Sequence, residues 1–210
     1  MSKIVLATRN AHKIVELRRI LDAAAGSAET GSTAPGPAWE LIGLDAFPEL
    51  ADVLETGVTF EENALLKAHA TAQATGLPAI ADDSGLAVDV LGGSPGVFSA
   101  RWAGRHGDDV ANLELLLAQL SDVPDQHRQA HFACAAAFAR PDGAELVRFG
   151  RLSGTLIRRP RGTNGFGYDP IFVAAGESRT NAELTAAEKD AISHRGRAFR
   201  SLVAELPTLG

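Results

Sequence analysis

The pattern of apolar and polar positions predicts a chain in which strands and helices alternate. The apolar run KIVLA predicts a short buried strand over residues 3–7. Apolar positions that recur on one helical face predict a helix over residues 11–25, and a second strand is expected over residues 39–44. Between these two elements, residues 26–38 consist mainly of Gly, Ser, Thr, Ala and Pro, which is typical of a flexible loop.

The middle of the chain holds the clearest helix signal. Thr59 and Glu62 have the spacing of a capping box, and Gly76 ends a helix predicted over residues 59–75. Two apolar runs then predict strands over residues 79–83 and 86–91. Between them, the polar sequence DDSG (82–85) predicts a turn.

The last part of the chain predicts a helix, a hairpin and a helical end. The helix is expected over residues 108–120, and the hairpin pairs residues 129–139 with residues 144–150. A short further strand over residues 155–157 and a glycine-rich loop follow, and residues 182–206 are helical, in one or two pieces. The whole pattern predicts a mixed α/β fold around a central sheet.

Composition narrows the class of protein. The 210 residues are 45% apolar and 22% charged, which fits one globular domain over residues 1–210. A single cysteine, Cys134, excludes an intrachain disulfide and a multi-cysteine zinc site. The net charge of −6 argues against a nucleic-acid partner. Neither a membrane-spanning run nor a signal-peptide pattern is present, so a cytoplasmic protein without a membrane partner is expected.

The basic residues point to an anionic ligand. Sixteen of the 20 are Arg, so the four lysines stand out as positions that favour a compact charge on a flexible side chain. Lys13 lies in a segment, Thr8 to Lys13, that runs from a strand end into the start of a helix. Free N–H groups and the helix dipole favour a phosphate there, although an ordinary polar cap has the same sequence pattern.

Acidic residues supply a candidate metal site. Asn63 and Lys67 share a face of the capped helix, and Glu55 lies upstream of it. The adjacent Asp82 and Asp83 follow an apolar run and project in different directions. One of them is expected to hold Mg²⁺ while the other fixes the turn, unless the segment is simply an Asp-rich turn.

Two later segments offer contacts for a base. The loop GTNGFGYDP (162–170) combines glycines with the flat side chains of Phe166 and Tyr168, and Asp169 is a possible acceptor for a ring N–H. The segment around Lys189, His194 and Arg195 brings three cationic or polar side chains together. Taken singly, the loop is also consistent with simple packing, and the second segment is also consistent with a solvated helix. Because three of the four lysines fall in these segments, a nucleoside triphosphate with Mg²⁺ fits them all.

At these residues the chain resembles the inosine/xanthosine triphosphate pyrophosphatases, the RdgB-like house-cleaning enzymes. The resemblance runs nearly end to end and rests on five ordered motifs: LATRNAHK (6–13), ETGVTFEENALLKA (55–68), PAIADDSGLAVDVLGGSPGVFSARW (78–102), GFGYDPIF (165–172) and LTAAEKDAISHRGRA (184–198). It implies a homodimer whose elongated mixed sheet, with flanking helices, forms two lobes around a nucleotide-binding cleft. It also implies Mg²⁺-dependent hydrolysis of dITP, ITP and XTP to the monophosphate and pyrophosphate, which removes these nucleotides before incorporation into DNA or RNA.

The resemblance also implies roles for individual residues. Asp83 and Lys67 are the expected catalytic residues, and Asp83 and Glu55 the expected metal ligands. The residues expected to bind substrate are Thr8, Arg9, Asn10, Ala11, His12, Lys13, Ser84, Phe166, Gly167, Tyr168, Asp169, Lys189, His194 and Arg195.

The chain departs from the family pattern at two positions, and two alternative functions stay open. Arg9 stands where many relatives have Gly, and Asn164 stands in a stretch that is often Gly-Gly. A pyrimidine-directed pyrophosphatase of the Maf type has similar chemistry. A nucleotide-binding regulator without turnover is the other alternative, which the intact set of Lys13, Lys67, Asp83 and Arg195 disfavours, since a binding module needs no paired metal carboxylate.

Overall fold

Six strands form one sheet in the computed structural model, which describes residues 2–10, 13–20 and 39–206. The strands are β1 (Ser2–Leu6), β2 (Trp39–Gly43), β3 (Ala79–Val88), β4 (Gln129–Ala139), β5 (Glu145–Leu156) and β6 (Phe172–Ala174). Their order in the sheet is β2-β1-β3-β4-β5-β6. Strand β1 is parallel to both β2 and β3, whereas β5 and β6 are antiparallel, so the sheet is mixed.

Five α-helices accompany the sheet in the described part of the chain. They are α1 (helical over residues 13–20), α2 (Phe60–Thr75), α3 (Asp109–Gln119), α4 (Ala186–Ile192) and α5 (His194–Glu205). The predicted mixed α/β fold is confirmed, and none of the described helices has the length and apolar character needed to cross a membrane. The predicted loop over residues 26–38 and both ends of the predicted first helix lie outside the described residues.

The predicted turn at residues 82–85 is wrong, because β3 runs through it as one continuous strand. Nearly every residue of β3 is buried, and its two aspartates have charged or polar partners within the fold. The polar side chains therefore do not need a turn to reach water. Gly85 marks a close approach of backbones instead, since a Cβ there would lie 2.4 Å from the carbonyl oxygen of Gly96.

Strand β5 also differs from its prediction. It spans twelve residues and joins the strands expected at residues 144–150 and 155–157. Its later half alternates buried Leu152 and Leu156 with exposed residues, so one face continues to pack after the apolar run has ended. The three-residue edge strand β6 was not predicted from the sequence, because its apolar run is too short to carry a period.

The described residues group into two compact units. The first contains those within residues 1–83, 134–150 and 195–210. Its sheet is covered on both faces, as alternate residues of each strand point in opposite directions. On the face of α1 and α5, Ile4, Leu6, Ile80, Cys134, Ala136 and Phe138 pack against Leu17, Ile20, Ala198, Phe199 and Leu202.

The other face of the first unit is formed almost entirely by alanine. Ala64, Ala68 and Ala72 of α2 pack against a surface formed by Val5, Ala7, Ala79, Ala81, Ala135, Ala137 and Ala139. Small side chains on both sides let the helix axis lie close to the sheet. The predicted capping box of Thr59 and Glu62 is present, and Gly76 ends the helix in the left-handed conformation. These contacts fix which residues of α2 face β3.

The second unit comprises residues 84–133 and 151–194. Its core joins Leu113, Leu116 and Leu120 from α3 and the residue after it to Leu86, Val88, Phe132, Leu152, Leu156, Ile171 and Phe172. Beside this core lies Arg128, which is only 1% exposed. Its guanidinium donates to the carbonyl oxygens of Leu120 at 2.6 Å, Leu156 at 2.9 Å and Ile157 at 3.3 Å. One side chain thereby ties the end of α3 to the end of β5.

Arg128→Ala should lower the free energy of unfolding by about 3 kcal/mol, because three carbonyl groups lose their donor and two of these hydrogen bonds are buried. Arg158→Ala is the matched control. Its guanidinium also donates to two carbonyl groups, those of Ser121 and Val123, but its side chain is 49% exposed and water can replace it. Urea unfolding of both variants measures the difference, and equal losses would contradict the role given to burial.

Candidate active site

Strand β3 places two adjacent carboxylates on opposite faces of the sheet. Asp82 follows Ile80 toward α1 and α5, whereas Asp83 follows Ala81 toward α2. Both are buried, with 2% and 6% of their surface exposed. The sequence prediction that the two acids project in different directions is confirmed, although by a strand and not by a turn.

Asp82 lies in a buried network of alternating charges. Its Oδ2 is 3.0 Å from Nζ of Lys13 and 3.3 Å from Nε of Arg195. Nη1 of Arg195 in turn donates to Oε2 of Glu16 at 2.6 Å. Burial by itself would raise the pKa of Asp82, but Lys13, Arg195 and Lys67 hold the pKa far below its usual range. Asp82 is therefore an anion at neutral pH, and its ion pairs hold α1 and the start of α5 on the sheet.

Asp83 faces a different set of partners on α2. Asn63, which is fully buried, donates from Nδ2 to Oδ2 of Asp83 at 3.1 Å. The same amide accepts the backbone N–H of Gly57 at 2.8 Å, so its orientation is fixed from both ends. Nζ of Lys67, one turn further along α2, lies 3.7 Å from Oδ1 of Asp83 and 2.6 Å from Oε1 of Glu55. A lysine ammonium thus lies against both carboxylates of the predicted metal pair.

The electrostatics of this face favour proton acceptance by Asp83. Burial raises the pKa of Asp83 above its ordinary value, Lys67 opposes the shift, and the nearby Glu55 carboxylate adds to it. Burial acts in the opposite sense on Lys67, but Asp83, Asp82 and Glu55 keep its pKa above the ordinary lysine value. The pair therefore combines a carboxylate of increased basicity with a cation that stays protonated.

Two carboxylates and a cation fit a site that takes a metal together with a substrate. No group of three or more His, Cys, Asp or Glu side chains in the described residues is arranged to hold a metal ion. Mg²⁺ does not require one, since it commonly takes one or two carboxylates and fills its remaining positions with water and phosphate oxygens. Glu55 and Asp83 meet this requirement.

The segment before α1 is built as a capped helix start. The Asn10 side chain accepts the backbone N–H of Lys13 at 3.2 Å, and the Thr8 hydroxyl accepts that of Asn10 at 3.2 Å. Arg9 points elsewhere, since it donates to the carbonyl oxygen of Leu50 at 2.6 Å and to Asp52 at 3.0 Å. It ties this segment to the loop that leads to Glu55. Ala11 and His12, also predicted to bind substrate, lie outside the described residues.

In the second unit, Asp169 organises the predicted base loop. Its Oδ2 accepts the backbone N–H of Phe166 at 3.0 Å and the ammonium of Lys189 at 2.6 Å, and its Oδ1 accepts from Asn181 at 3.1 Å. Nζ of Lys189 also lies 5.1 Å from the centroid of the Phe166 ring. A Cβ at Gly165 would lie 2.2 Å from the Asp169 carboxylate, so the loop requires glycine there.

The other predicted base contacts are also placed in the second unit, with one exception. His194 stacks on Phe132, with ring centroids 4.9 Å apart and planes 12° from parallel. Tyr168 belongs to the core and donates its hydroxyl to the Ser99 carbonyl at 2.9 Å, and Ser84 lies half-buried on β3. Arg195 is the exception, because it is assigned to the first unit, where its Nε and Nη1 donate to carboxylates.

Three polar residues of these networks were not predicted as site residues, namely Glu16, Asn63 and Asn181. Helical spacing could have suggested Glu16, and it already marked Asn63, although no role was assigned to it. Glu16 lies three positions after Lys13, and Asn63 lies four before Lys67, so each shares a helix face with a predicted residue. Asn181 lies twelve residues from Asp169 in a segment with no helical or strand period, so no sequence signal marked it.

Asp82→Asn should lower the free energy of unfolding at pH 7 by about 3 kcal/mol, because Lys13 loses its carboxylate partner and the buried Arg195 keeps Glu16 but loses Asp82. Asp52→Asn, which removes an 85% exposed partner of Arg9, should cost far less. Since the folded protein lowers the pKa of Asp82, its stabilisation is complete above the unfolded pKa of about 4 and is lost as pH falls below it. Urea unfolding of metal-free protein between pH 7 and 3 should therefore show the difference between wild type and Asp82→Asn shrinking. A difference that grows toward low pH would contradict the assignment.

Comparison with known proteins identifies relatives over nearly the whole chain. The model of the Ham1 family matches residues 4–205. A dITP/XTP pyrophosphatase of Streptomyces avermitilis is 66% identical over 203 residues, covering 97% of this chain and 96% of that protein. One of Frankia alni is 58% identical over 205 residues, covering 95% of each chain.

Solved structures show the same fold. A nucleoside-triphosphatase, dITP/XTP pyrophosphatase, of Mycobacterium abscessus is 54% identical, with a TM-score of 0.74 over 99% of this chain and 100% of that one. A Ham1 protein of Coxiella burnetii is 40% identical, with a TM-score of 0.85, and the match covers 99% of this chain and 100% of that one. The chain therefore belongs to the Ham1 family.

Proposed function

We propose that this protein hydrolyses the noncanonical purine triphosphates dITP, ITP and XTP and thereby removes them from the nucleotide pool. In this reaction a water oxygen attacks the α-phosphorus, the bond from that phosphorus to the oxygen bridging to the β-phosphorus breaks, and the monophosphate and pyrophosphate leave. The names of relatives at up to 66% identity support this substrate class. The single observation that carries the proposal is the cluster of Asp83, Lys67, Glu55 and Asn63 on one face of β3.

Asp83 is proposed to accept the proton of the attacking water. Burial raises its pKa, which makes the carboxylate a better base than an exposed aspartate. Asn63 holds one carboxylate oxygen by a hydrogen bond from its amide, and this contact sets the direction of the other oxygen. The Gly57 backbone in turn fixes Asn63. The Asp83 carboxylate is therefore oriented before the substrate binds.

Lys67 and the segment from Thr8 to Lys13 are proposed to hold the triphosphate. Lys67 is a cation held against two carboxylates, and phosphate oxygens are a further partner for the same ammonium. Thr8, Asn10, Ala11, His12 and Lys13 are assigned to the phosphates, and Arg9, which donates to Leu50 and Asp52, is assigned to holding this segment in place. Bound Mg²⁺, with Glu55 and Asp83 as its protein ligands, would neutralise phosphate charge and orient the α-phosphate.

Base recognition is assigned to the second unit together with Arg195. The proposed contacts are Ser84, Phe166, Gly167, Tyr168, Asp169, Lys189, His194 and Arg195. Hypoxanthine and xanthine carry a keto oxygen where adenine carries an amino group, so a pocket that presents N–H donors favours them. Lys189 is the best-placed such donor in the second unit, because Asp169 fixes its ammonium beside the Phe166 ring.

Two assays distinguish this function from its alternatives. Pyrophosphate release from dITP, ITP, XTP, dTTP, UTP and ATP separates a purine-directed enzyme from one of the Maf type, and no release from any of them would indicate a regulator. Sedimentation of the purified protein tests the homodimer that we include in the proposal. A cytoplasmic location is the remaining part of it.

Asp83→Asn should lower kcat for ITP by a factor of about a hundred or more, because the amide cannot accept a proton from water. The free energy of unfolding should change little in comparison with Asp82→Asn. Asp142→Asn, at the exposed turn between β4 and β5, should leave kcat unchanged. Turnover by Asp83→Asn near the wild-type rate would overturn the assignment.

Lys13→Ala and Lys67→Ala should each weaken turnover of the triphosphate, and Lys67→Ala should lower kcat more because its ammonium lies beside Asp83. Lys3→Ala removes the same charge from an exposed position 4.0 Å from Glu40 and should have wild-type kinetics. Steady-state assays with ITP compare the three variants. Equal effects from all three would mean that overall charge, and not position, is responsible.

A further inference from the structure

The predicted base loop is held from two directions by two different carboxylates. The backbone N–H of Phe166 donates to Oδ2 of Asp169 at 3.0 Å, and Asp169 belongs to the same loop. The next N–H, that of Gly167, donates to Oδ2 of Asp109 at 2.9 Å. Asp109 lies 58 residues away in the sequence, at the start of α3. The peptide groups on both sides of Phe166 are thus fixed by separate acceptors.

Asp109 acts from a rigid support. Helix α3 is anchored in the core of the second unit by Leu113 and Leu116, and Asn112 accepts the backbone N–H of Ala103 at 2.7 Å. The helix start is already capped by Asp108, whose side chain accepts the N–H of Ala111 at 3.2 Å. Asp109 is therefore not needed as the cap, and its carboxylate is directed away from the helix to the loop.

The loop needs such an anchor because it is rich in glycine. Gly165 and Gly167 flank Phe166, and both adopt positive φ angles, of 75° and 61°. Glycine loses more conformational freedom on folding than any other residue, so this backbone is costly to hold in one conformation. The space that a Cβ of Gly167 would occupy is open, with no atom within 4 Å, so the loop is not packed in that direction. The hydrogen bond from the Gly167 N–H to Asp109 restrains the backbone at this position.

We propose that Asp109 is a positioning residue that fixes the Phe166 ring for stacking on the base of the substrate. This inference rests on the proposed role of the Phe166 loop in base binding. Stacking does not depend on which purine is bound, since every base has a π-face. Asp109 therefore contributes to binding of all purine triphosphates alike, whereas Lys189 contributes to the choice among them.

Steady-state kinetics of the full-length protein with ITP, ATP and Mg²⁺ test this inference. Loss of one hydrogen bond to a charged acceptor corresponds to about a tenfold change, so Asp109→Ala should raise KM for ITP about tenfold. The kcat value and the ITP-to-ATP ratio of kcat/KM should stay within about twofold of wild type, because the reacting groups and the donors that read the base are untouched. Asp109→Asn should keep KM near the wild-type value, because the amide oxygen of Asn can still accept the Gly167 N–H. If Asp109→Ala does not fold, Asp109→Ser removes the same long acceptor and supplies the same comparison.

Asp108→Ala is the matched control, since it removes the neighbouring carboxylate and the helix cap but no contact with the loop. It should lower Tm and leave KM unchanged. An equal rise of KM in Asp108→Ala would show that Asp109 acts only through the stability of α3, and would overturn the inference. An unchanged KM in Asp109→Ala would overturn it as well.

Phe166→Ala separates this inference from the proposed function. If Asp109 acts through the ring, adding Asp109→Ala to Phe166→Ala should raise KM no further. A wild-type KM in Phe166→Ala would show that the loop does not bind the base, and failure of the wild-type protein to release pyrophosphate would overturn the function itself. A raised KM in Phe166→Ala with an independent, additive effect of Asp109→Ala would leave the loop assignment intact and refute the positioning role.

Discussion

The alternation of side chains along β3 is the constraint on which the first unit depends. Because neighbouring residues of a strand point to opposite faces, Asp82 and Asp83 cannot share one environment. Asp82 belongs to the face of α1 and α5, where Lys13 and Arg195 hold it as a buried anion. Asp83 belongs to the face of α2, where burial makes it more basic. Adjacent residues of one strand thus have opposite pKa shifts, lowered for Asp82 and raised for Asp83.

The packing of α2 serves the same arrangement. Alanine on the helix and on the sheet lets the two backbones approach closely, so that the buried Asn63 and the lysine one turn later reach the strand. Larger apolar side chains at Ala64 or Ala68 would push the helix outward and lengthen these contacts. The alanines of this face therefore do more than fill the core. They also determine the distance between the Asp83 carboxylate and the Lys67 ammonium.

In the second unit the main constraint is the loop around Phe166. This loop is rich in glycine and is nevertheless held in one conformation. Asp169 and Asp109 fix successive N–H groups of the loop, and Asp169 also orders Lys189 and Asn181. The core formed by α3 and the strands keeps the helix that carries Asp109 in place. The two units therefore stabilise different backbone features, a buried strand in the first and an anchored loop in the second.

The amino-acid sequence alone was enough to predict the mixed α/β class, the capped helix α2, the hairpin and most of the residues around Asp82, Asp83 and Asp169. These features depend on local periods and on motifs that are contiguous in the chain. Only the tertiary structure showed that residues 82–85 continue a strand, because the partners that satisfy the two aspartates come from distant segments. Only the tertiary structure showed the hydrogen bonds that link Arg195 to Glu16, Asn181 to Asp169 and Gly167 to Asp109. Hydrogen bonds between residues 12 to 179 positions apart leave no period in a sequence, since their geometry is set by how helices and strands pack.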